Sequence, residues 1–536
     1  MPPTQNRKNK KKPDITSLLL SPTLKKADVA SLLQPYGFTD TNLADTNLQS
    51  MAGTPQSRQL LAEILPDLLR AVGETADPDR ALNEWERYIE LGPNRVQLFQ
   101  YLGQTPRMIH VLCTIFGNSP AMAQTLIRDP LLVYWMSEER ILDRKSSPKT
   151  LRRELENALI PFHTYDLRLE ALRRFKRREM LRIGLRDILK KSTVQETVQH
   201  LSTLAETVVH SAYLLVCGEI QRTMGIPKHY DTGKKLVETQ FVVLGMGKLG
   251  GGELNYSSDI DLIYAYENAE GYAYLQDKKT TYTNPVFFDQ LAKNLTRVLS
   301  EPSHEGALFK VDLRLRPDGV SGALVCSFEE MIQYYQSRGR MWERLALLKA
   351  RPIAGNKRRG NTLLRNLQSF VLGQGEPERS HIQETIDSIK QSIHKKMIQR
   401  GEAERNVKLG TGGIREIEFI VQSLQLQYGT RIKMIRERNT LATLQRLKEA
   451  SLLPPSIEKV LTKSYVFLRD VEHKLQMVNE LQTHQLPREV SELAKCAIRM
   501  GFPKKTSPKD TAAQFLARYR NVTGNVHRLY SRYIHH

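Results

Sequence analysis

Residues 245–266 read "GMGKLGGGELNYSSDIDLIYAY", in which a glycine-rich turn is followed by two aspartates and an apolar run. The run "DIDLIYAY" and the preceding "QFVVLG" both have the composition of short, largely buried strands. The spacing of Asp259 and Asp261 places both carboxylates on one face of the second strand. Three interpretations are open: the glycines hold a phosphate, the aspartates hold a metal ion, or the segment is only a tight turn before a buried strand.

The glycines alone do not identify a nucleotide-binding fold. Their spacing, GxGxxGGG, differs from the dinucleotide-binding fingerprint, and a polar loop is expected after Tyr266 instead of a longer βαβ series. A Walker A loop needs Ser or Thr after its lysine, whereas Lys248 precedes Leu249. Both nucleotide-binding folds are therefore disfavoured.

The aspartates indicate a metal site once the downstream sequence is included. Two carboxylates this close raise each other's pKa unless a cation lies between them, and Mg²⁺ prefers oxygen ligands. Residues 308–317, "LFKVDLRLRP", alternate apolar and charged side chains, which predicts a strand that brings Asp312 beside the pair. Three carboxylates predict a site for two Mg²⁺ ions, the arrangement used for in-line displacement at phosphorus. The competing interpretation is a structural DxD that caps a turn or pairs with arginines.

The composition is that of a globular protein with a basic surface. The 536 residues include 79 Lys and Arg against 58 Asp and Glu, a formal net charge of +21. Such a charge attracts polyanions, but the basic residues are spread along the chain, so nucleic-acid binding is not the favoured interpretation. The 4 cysteines stand far apart and predict neither a zinc site nor a disulfide framework. Apolar runs fall short of the roughly 20 residues that span a bilayer, so we expect a cytoplasmic protein without a membrane segment.

Changes in periodicity predict an α+β protein that is mostly α. The pattern is helical in the first and last parts of the chain and has the two-residue period of strands between them. A polar linker, "RPIAGNKRRGN", is expected after the strands. The predicted units are a basic flexible tail with one helix near 26–35, an N-terminal helical region, a small mixed-sheet domain and a C-terminal helical bundle, at residues 1–55, 56–235, 236–355 and 360–536.

Two groups of side chains have more than one interpretation. In residues 339–355, "GRMWERLALLKARPIAG", Trp342 is expected in the core, and stacking on adenine is the alternative. Glu343 and Lys349 lie in the same stretch of sequence. An amphipathic helix within "LEALRRFKRREMLRIGLRDIL" carries an arginine face that is either solvated or directed at an acidic partner or a phosphate. The arginines of that face are Arg173, Arg174, Arg177 and Arg178.

Four blocks, in this order, resemble the glutamine synthetase adenylyltransferase/adenylyl-removing enzyme family: "GMGKLGGGELNYSSDIDLI", "VDLRLRPDGVSGALV", "GRMWERLALLKARPIAGN" and "KLGTGGIREIEFIVQ". The resemblance runs from about residue 165 to about residue 490, and residues 1–55 have no recognised counterpart. It implies that residues 236–355 are a nucleotidyltransferase domain of the DNA polymerase beta-like superfamily. Members of the family usually contain two copies of this domain followed by a helical bundle, whereas this sequence contains one.

The resemblance also implies a direction of reaction. In the family the N-terminal copy removes AMP from a tyrosine of glutamine synthetase by phosphorolysis and releases ADP, whereas the C-terminal copy attaches AMP from ATP. The blocks "SSDIDL" at 257–262 and "KLGTGGIREIEF" at 408–419 are of the removing type. We therefore predict AMP removal, with three alternatives: the ATP-dependent adenylylating direction, a non-catalytic module that binds glutamine synthetase or a PII signal protein, and a template-independent RNA nucleotidyltransferase. The last would need an RNA-binding module, which the "GGIREIEF" bundle does not resemble.

The candidate site residues follow from this chemistry and from the resemblance. Asp259, Asp261 and Asp312 are the predicted catalytic carboxylates and the ligands of two Mg²⁺ ions. Glycine N–H groups can form an anion nest, because the main chain approaches a phosphate closely there. The nucleotide- and phosphate-binding candidates are Gly247, Lys248, Gly250, Gly251, Ser257, Ser258, Arg314 and Arg316. For the two arginines, ion pairs with neighbouring carboxylates are the alternative. The bundle offers Arg415, Glu416 and Glu418 to the cleft, with a plain Arg415–Glu418 helix pair as the alternative.

The family further implies the ligands and partners. AMP, ADP or ATP and phosphate are the expected substrates or products, and glutamine synthetase is the expected protein substrate. PII and glutamine are the expected effectors.

Overall fold

The computed structural model describes residues 14–535 apart from 23, 93, 144–146, 276–279, 374–378, 400, 402–404 and 480–482. Helices make up most of the described chain, and two small sheets lie between an N-terminal and a C-terminal helical part. This confirms the prediction of an α+β protein that is mostly α.

The N-terminal part is helical up to Met224. Its helices are α1 Ser17–Leu20, α2 Lys26–Leu33, α3 Thr41–Ala52, α4 Pro55–Gly73, α5 Pro78–Leu91, α6 Arg95–Gln104, α7 Pro106–Asn118, α8 Pro120–Arg128, α9 Leu132–Ser137, α10 Glu139–Asp143, α11 Pro148–Leu159, α12 Tyr165–Ile188 and α13 Val194–Met224. Trp85 and Phe116 lie at the centre of the first core, 5.2 Å apart between ring centroids.

The prediction of a flexible tail is wrong for residues 14–55. Helix α2 accounts for the expected helix near 26–35, but α1 and α3 also form, and Leu18, Leu33 and Leu48 enter the N-terminal core. The Asp40 side chain caps α3 by accepting hydrogen bonds from the N–H groups of Asn42 and Leu43. The remainder of the predicted tail, residues 1–13, lies outside the described residues.

The arginine face of α12 is bound within the chain. Arg173 pairs with Glu170, Arg177 pairs with Glu305, and the guanidinium of Arg178 lies 5.4 Å from the ring centroid of Trp135. These contacts explain the dense basic pattern as internal packing of a long helix, neither a wholly solvated face nor one held open for a partner.

Helix α13 is long and apolar enough to cross a membrane by length and composition. Within the protein, 61% of its most apolar window is buried, and the helix packs against α12, α15 (Asn284–Ser300) and the larger sheet. It begins with a capping box in which Thr193 and Glu196 satisfy each other's backbone N–H groups. From the sequence we expected no apolar run of this length, and α13 is an exception to that expectation. It is buried as the core helix of a folded domain is.

The strands of the described residues form a five-stranded and a four-stranded sheet. They are β1 Ile226–Tyr230, β2 Leu236–Glu238, β3 Phe241–Gly245, β4 Ile260–Tyr266, β5 Tyr272–Leu275, β6 Thr280–Thr283, β7 Val311–Asp312, β8 Val325–Ser327 and β9 Arg351–Gly355. The larger sheet has the order β7-β4-β3-β9, with β8 also paired to β4, and the smaller one has the antiparallel order β2-β1-β5-β6.

The smaller sheet departs from the sequence prediction. Strand β1 arises from the end of the predicted helical region, β2 directly follows that region, and β5 and β6 arise from the predicted polar loop after Tyr266. These strands are short and largely exposed on alternate residues, so their apolar content is too low to stand out. Helix α15 lies between the strand runs and buries Phe287 and Phe288.

The predicted third strand is much shorter than expected. Only Val311 and Asp312 pair with β4, in parallel, and the chain then turns, so that Arg314 and Arg316 lie beyond the strand. The register nevertheless places Asp312 directly opposite Asp261.

The C-terminal part returns to helices. One short helix, α14 Gly247–Gly250, lies before α15 in the glycine turn. The helices after α15 are α16 Phe328–Arg338, α17 Met341–Leu347, α18 Lys357–Asn366, α19 Gln368–Leu372, α20 Arg379–Gln399, α21 Ile414–Tyr428, α22 Thr440–Glu449, α23 Pro455–Asn479, α24 Val490–Arg499 and α25 Pro508–His535. The predicted linker is instead β9 followed by α18, whose Leu363 packs on the larger sheet beside Val242. The bundle core joins α21, α23 and α25 through Ile417, Leu468 and Phe515.

Helix α3 provides a test of whether residues 41–52 belong to the core. Leu48→Ala is expected to lower the free energy of unfolding by about 2–5 kcal/mol, because it leaves a cavity at a fully buried side chain (0% exposed). Leu43→Ala, in the same helix but 43% exposed, is the matched control and should change it by less than about 0.5 kcal/mol. Urea unfolding followed by circular dichroism measures both, and equal effects would contradict the packing described for α3.

Candidate active site

The three predicted carboxylates meet at one edge of the larger sheet. Asp259 directly precedes β4, Asp261 is its second residue, and Asp312 ends β7. The parallel register pairs Asp261 with Asp312. Among the described residues, the buried Oδ1 of Asp259 has no hydrogen-bond partner. The juxtaposition predicted from the sequence is therefore present.

Burial and mutual repulsion set the charge of these carboxylates. Burial, and next the charge of Asp312, raises the pKa of Asp261 to about 6. Burial is also the main reason why the pKa of Asp259 is raised. Burial would raise the pKa of Asp312 as well, but hydrogen bonds from Arg314 outweigh it and lower that pKa. Two of the three carboxylates thus lack a full counter-charge in the protein.

Arg314 is bound to a carboxylate, the ion pair that was the alternative to a phosphate-binding role. Its Nε donates to both oxygens of Asp312, at 3.0 and 2.9 Å, and its backbone N–H donates to Oδ1 at 2.9 Å. In this arrangement, no group of three His, Cys, Asp or Glu residues in the described part of the chain is placed to hold one metal ion. Asp259 and Asp261, with an unpartnered buried oxygen and raised pKa values, have the donor chemistry that a divalent cation requires.

Arg316 has a structural position. Its guanidinium donates to the backbone oxygens of the turn that follows β7, those of Leu313, Val320, Gly322 and Ala323. These bonds close the turn and use the donors that a phosphate would need, which contradicts the predicted phosphate contact.

The glycine turn is shaped by close packing against the carboxylates. Gly247 has a φ of +50°, and a Cβ there would lie 2.5 Å from Oδ2 of Asp261. Gly250 and Gly251 are buried, and a Cβ on Gly250 would collide with the carbonyl oxygen of Lys349. Gly247 therefore faces the site, whereas Gly250 and Gly251 allow the turn to pack against the chain behind it.

Lys248 connects the glycine turn to the bundle. Its Nζ lies 2.7 Å from Oε1 of Glu472, a fully buried residue of α23. Burial lowers the pKa of Lys248 to about 7, although Glu472 opposes this shift. Of the two predicted serines, Ser258 lines the cleft, and the Ser257 N–H donates to Gln476 on the same bundle helix.

The opposite wall of the site comes from α21 and is held by a buried lysine. Nζ of Lys349 donates to Glu253 at 2.7 Å and to Glu418 at 3.3 Å. Burial would lower the pKa of Lys349, but these two carboxylates raise it above its usual range. Arg415 forms the expected helix pair, with Nη1 3.2 Å from Oε2 of Glu418, and it also lines the cleft, so both interpretations of this pair hold.

The prediction that Glu416 lines the cleft is wrong. Its carboxylate is buried on another face of α21, where Nζ of Lys390 lies 2.7 Å away and Nδ1 of His527 lies 3.2 Å away. An α-helix turns by about 100° per residue, so Glu416 and Glu418, two residues apart, point to nearly opposite sides of α21.

Together these walls enclose a cleft of about 530 Å³. Trp342 is only partly buried and lies on its wall, which corrects the expectation of a core residue. Lys408, Phe419 and Gln422 were not predicted as site residues, although all three lie in or beside the "KLGTGGIREIEF" block. The lining residues are Gly247, Lys248, Ser258, Asp259, Asp261, Asp312, Arg314, Leu315, Trp342, Leu345, Ala346, Lys349, Ile389, Lys408, Arg415, Glu418, Phe419 and Gln422.

A larger concavity, of about 1140 Å³, lies against the four-stranded sheet. Its wall includes Tyr230, Tyr272 and Tyr274, and the carboxylate among its lining residues is that of Glu270. It lacks the grouped acids and cations of the smaller cleft, which is therefore the candidate active site.

Comparison with known proteins connects this cleft to one family. Residues 109–366 match the family model for glutamate-ammonia ligase adenylyltransferase, and residues 382–534 match that for GlnD PII-uridylyltransferase. The matches extend further towards both ends than the resemblance seen in the sequence blocks.

Curated relatives named bifunctional glutamine synthetase adenylyltransferase/adenylyl-removing enzyme are similar over most of this chain. Identity is 39% over 401 residues for the enzyme of Nitrosococcus oceani, covering 74% of this chain and 40% of the relative. It is 36% over 424 residues for that of Hahella chejuensis (78% and 42%) and 37% over 390 residues for that of Pseudomonas aeruginosa (72% and 39%). The aligned part thus spans about two-fifths of the length of each of these relatives.

The raised pKa of Asp261 predicts a pH-dependent change in stability. Below about pH 4 the carboxyl is protonated in both folded and unfolded chains; between about pH 4 and pH 6 the unfolded chain ionises first, so folding loses stability as pH rises. Asp261→Asn removes this loss. In EDTA, the variant should gain about 2–3 kcal/mol relative to the unsubstituted chain between about pH 4 and pH 7.

Urea unfolding at several pH values measures this difference. Asp67→Asn, at an exposed carboxylate 3.4 Å from Arg70, serves as the control and should show little change with pH. A stability difference for Asp261→Asn that stays constant with pH would contradict the electrostatic description of the site.

Proposed function

We propose that this chain, which belongs to the glutamine synthetase adenylyltransferase/adenylyl-removing enzyme family, is a nucleotidyltransferase that removes AMP from an adenylylated tyrosine of glutamine synthetase by phosphorolysis. The observation that carries the proposal is the cleft in which Asp259, Asp261 and Asp312 face a cationic wall from the bundle. The two blocks "SSDIDL" and "KLGTGGIREIEF", which are of the removing type, support the direction. Both blocks contribute residues to this cleft.

The proposed reaction exchanges one P–O bond for another. An orthophosphate oxygen forms a bond to the adenylyl phosphorus, and the bond from that phosphorus to the tyrosine oxygen breaks. The phenolate leaves with the bonding electron pair and takes up a proton, which yields ADP and unmodified tyrosine. Because a phenol has a pKa of about 10, its oxygen leaves without a covalent enzyme intermediate if charge in the site is neutralised.

Mg²⁺ would be held by Asp259 and Asp261 and would neutralise charge on the phosphoryl oxygens. Asp312, opposite Asp261, would be a further ligand if Arg314 leaves it. The chain itself contributes positioning: Gly247 lets the backbone approach a phosphate, and Ser258 lies beside it on the cleft wall. Trp342 offers an aromatic face to the adenine.

The alternatives use the same residues differently. Adenylylation from ATP would need the same carboxylates, so only the sequence blocks favour removal over attachment. A purely regulatory module would not require the buried, repelling carboxylates that the cleft retains at a cost in stability. The match of residues 382–534 to a PII-uridylyltransferase model supports contact with PII through the bundle. Glutamine as an effector and a cytoplasmic location are proposed from the family resemblance alone.

An assay with adenylylated glutamine synthetase, orthophosphate and Mg²⁺ tests the proposal. The chain should release ADP, and Asp259→Asn and Asp261→Asn should each reduce the rate at least about 100-fold, since each removes charge from the phosphoryl-transfer site. Asp67→Asn should leave the rate unchanged. Pyrophosphate release from ATP and unmodified synthetase, without ADP release, would instead show the adenylylating direction, and neither product would favour the regulatory module.

Trp342 provides a separate test of nucleotide placement. Trp342→Leu should raise the inhibition constant of the product ADP about tenfold, because it removes a base-stacking surface. Trp135→Leu is the control, since Trp135 is also only partly buried but packs under Arg178 away from the cleft. Equal inhibition constants for the two variants would place adenine elsewhere.

A further inference from the structure

The three cations that the sequence suggests for binding the attacking phosphate are all engaged by the protein. The ammonium of Lys248 binds Glu472, the guanidinium of Arg314 binds Asp312, and that of Arg316 binds backbone oxygens. A phosphate site must therefore use other donors, and the bundle wall of the cleft supplies two, Lys408 and Arg415.

Lys408 lies on the cleft wall with its charge directed at the site. Among the described residues, no carboxylate lies within ion-pair distance of its Nζ, in contrast to Lys248 and Lys349. Its positive charge acts on both Asp259 and Asp261, whose pKa values it lowers against the effect of burial. Lys408 is thus a cation across the cleft from the carboxylates, without a carboxylate of its own in the described chain.

Arg415, which lines the same cleft, has a hydrogen-bond donor that no described residue accepts. One terminal nitrogen, Nη1, binds Glu418, whereas Nε is buried and has no hydrogen-bond partner among the described residues. The guanidinium lies 5.2 Å from the ring centroid of Phe419, and 40% of the side chain is exposed at the cleft. These contacts orient the Arg415 guanidinium and leave hydrogen-bond donors for a ligand.

The backbone fixes these two cations next to each other. The Arg415 N–H donates to the carbonyl oxygen of Lys408 at 3.0 Å. The buried Asn406 side chain accepts from the N–H groups of Lys408 and Leu409, at 3.1 and 2.8 Å. Gly412, with a φ of +71°, packs so tightly on Thr523 of α25 that a Cβ would collide with its carbonyl oxygen. These contacts fix the backbone that carries Lys408, in the loop, and Arg415, in the first turn of α21.

We infer that Lys408 and Arg415 form the binding site of the orthophosphate that attacks the adenylyl group. Orthophosphate carries one to two negative charges at neutral pH and has oxygens for several charge-assisted hydrogen bonds. Held by the bundle, it faces the carboxylate edge where the adenylyl group would bind, so that phosphate is favoured over water as the attacking group. The inference rests on the proposed function for its catalytic meaning, but the anion site itself is measurable without turnover.

Direct binding and kinetics of Lys408→Met test the inference. Equilibrium dialysis with radiolabelled orthophosphate should show a dissociation constant raised about ten- to 100-fold, in parallel with the KM for phosphate, and an unchanged KM for the adenylylated synthetase. Lys408→Arg should keep most of the affinity. Lys459→Met, at an exposed lysine of α23, is the matched control and should bind phosphate like the unsubstituted chain.

The outcomes separate this inference from the proposed function. Unchanged phosphate affinity in Lys408→Met, with normal ADP release, overturns the inference and leaves the function intact. If the unsubstituted chain releases no ADP, the function fails; phosphate binding that Lys408→Met abolishes then still supports the site, and no phosphate binding overturns it. Thermal unfolding of each variant excludes misfolding, and Arg415→Met gives an independent measure of the same site.

Discussion

The buried ion network around Lys349 is the contact on which the geometry of the cleft depends. Lys349 follows α17, next to the larger sheet, and its ammonium joins Glu253 of the glycine turn to Glu418 of the bundle. Arg469 of α23 adds a bond to the backbone oxygen of Glu253, and Lys248 adds one to Glu472. Removing one partner from such a pair costs about 3–5 kcal/mol, because a charge is left buried alone. The network therefore holds the sheet and the bundle in one fixed arrangement.

This arrangement separates charge across the cleft. The sheet contributes carboxylates that repel each other, and the bundle contributes the cations Lys408 and Arg415, from the loop before α21 and from its first turn. An anionic substrate between the walls would gain from the cations, and a divalent cation would relieve the carboxylates. Phosphoryl transfer needs both kinds of charge in one site. Side chains that the fold already holds in position supply these charges without reorganisation during the reaction. The fold thus provides positioning, which is the main protein contribution expected for this chemistry.

The sequence predicted the parts that depend on local pattern. Strand periodicity predicted that Asp312 lies beside Asp261, and helical spacing predicted α12 and the helices of the C-terminal bundle. It failed for Glu416, whose partner Lys390 is distant in the chain. It left the role of Arg314 open, because the predicted strand ends at Asp312 and the turn that follows lets Arg314 bind that carboxylate. The short strands of the smaller sheet and the buried face of α3 carry weak patterns, so their structure depends on packing that only the folded chain shows.

We propose that the acidic edge of the sheet and the bundle wall form one nucleotide site. The most direct measurement is anomalous diffraction from crystals of the chain grown with Mn²⁺ and ADP. We predict a manganese peak bonded to Asp259 and Asp261, adenine against Trp342, and Arg314 withdrawn from Asp312. Manganese absent from these carboxylates, with ADP bound outside the cleft, would contradict the proposed nucleotide site.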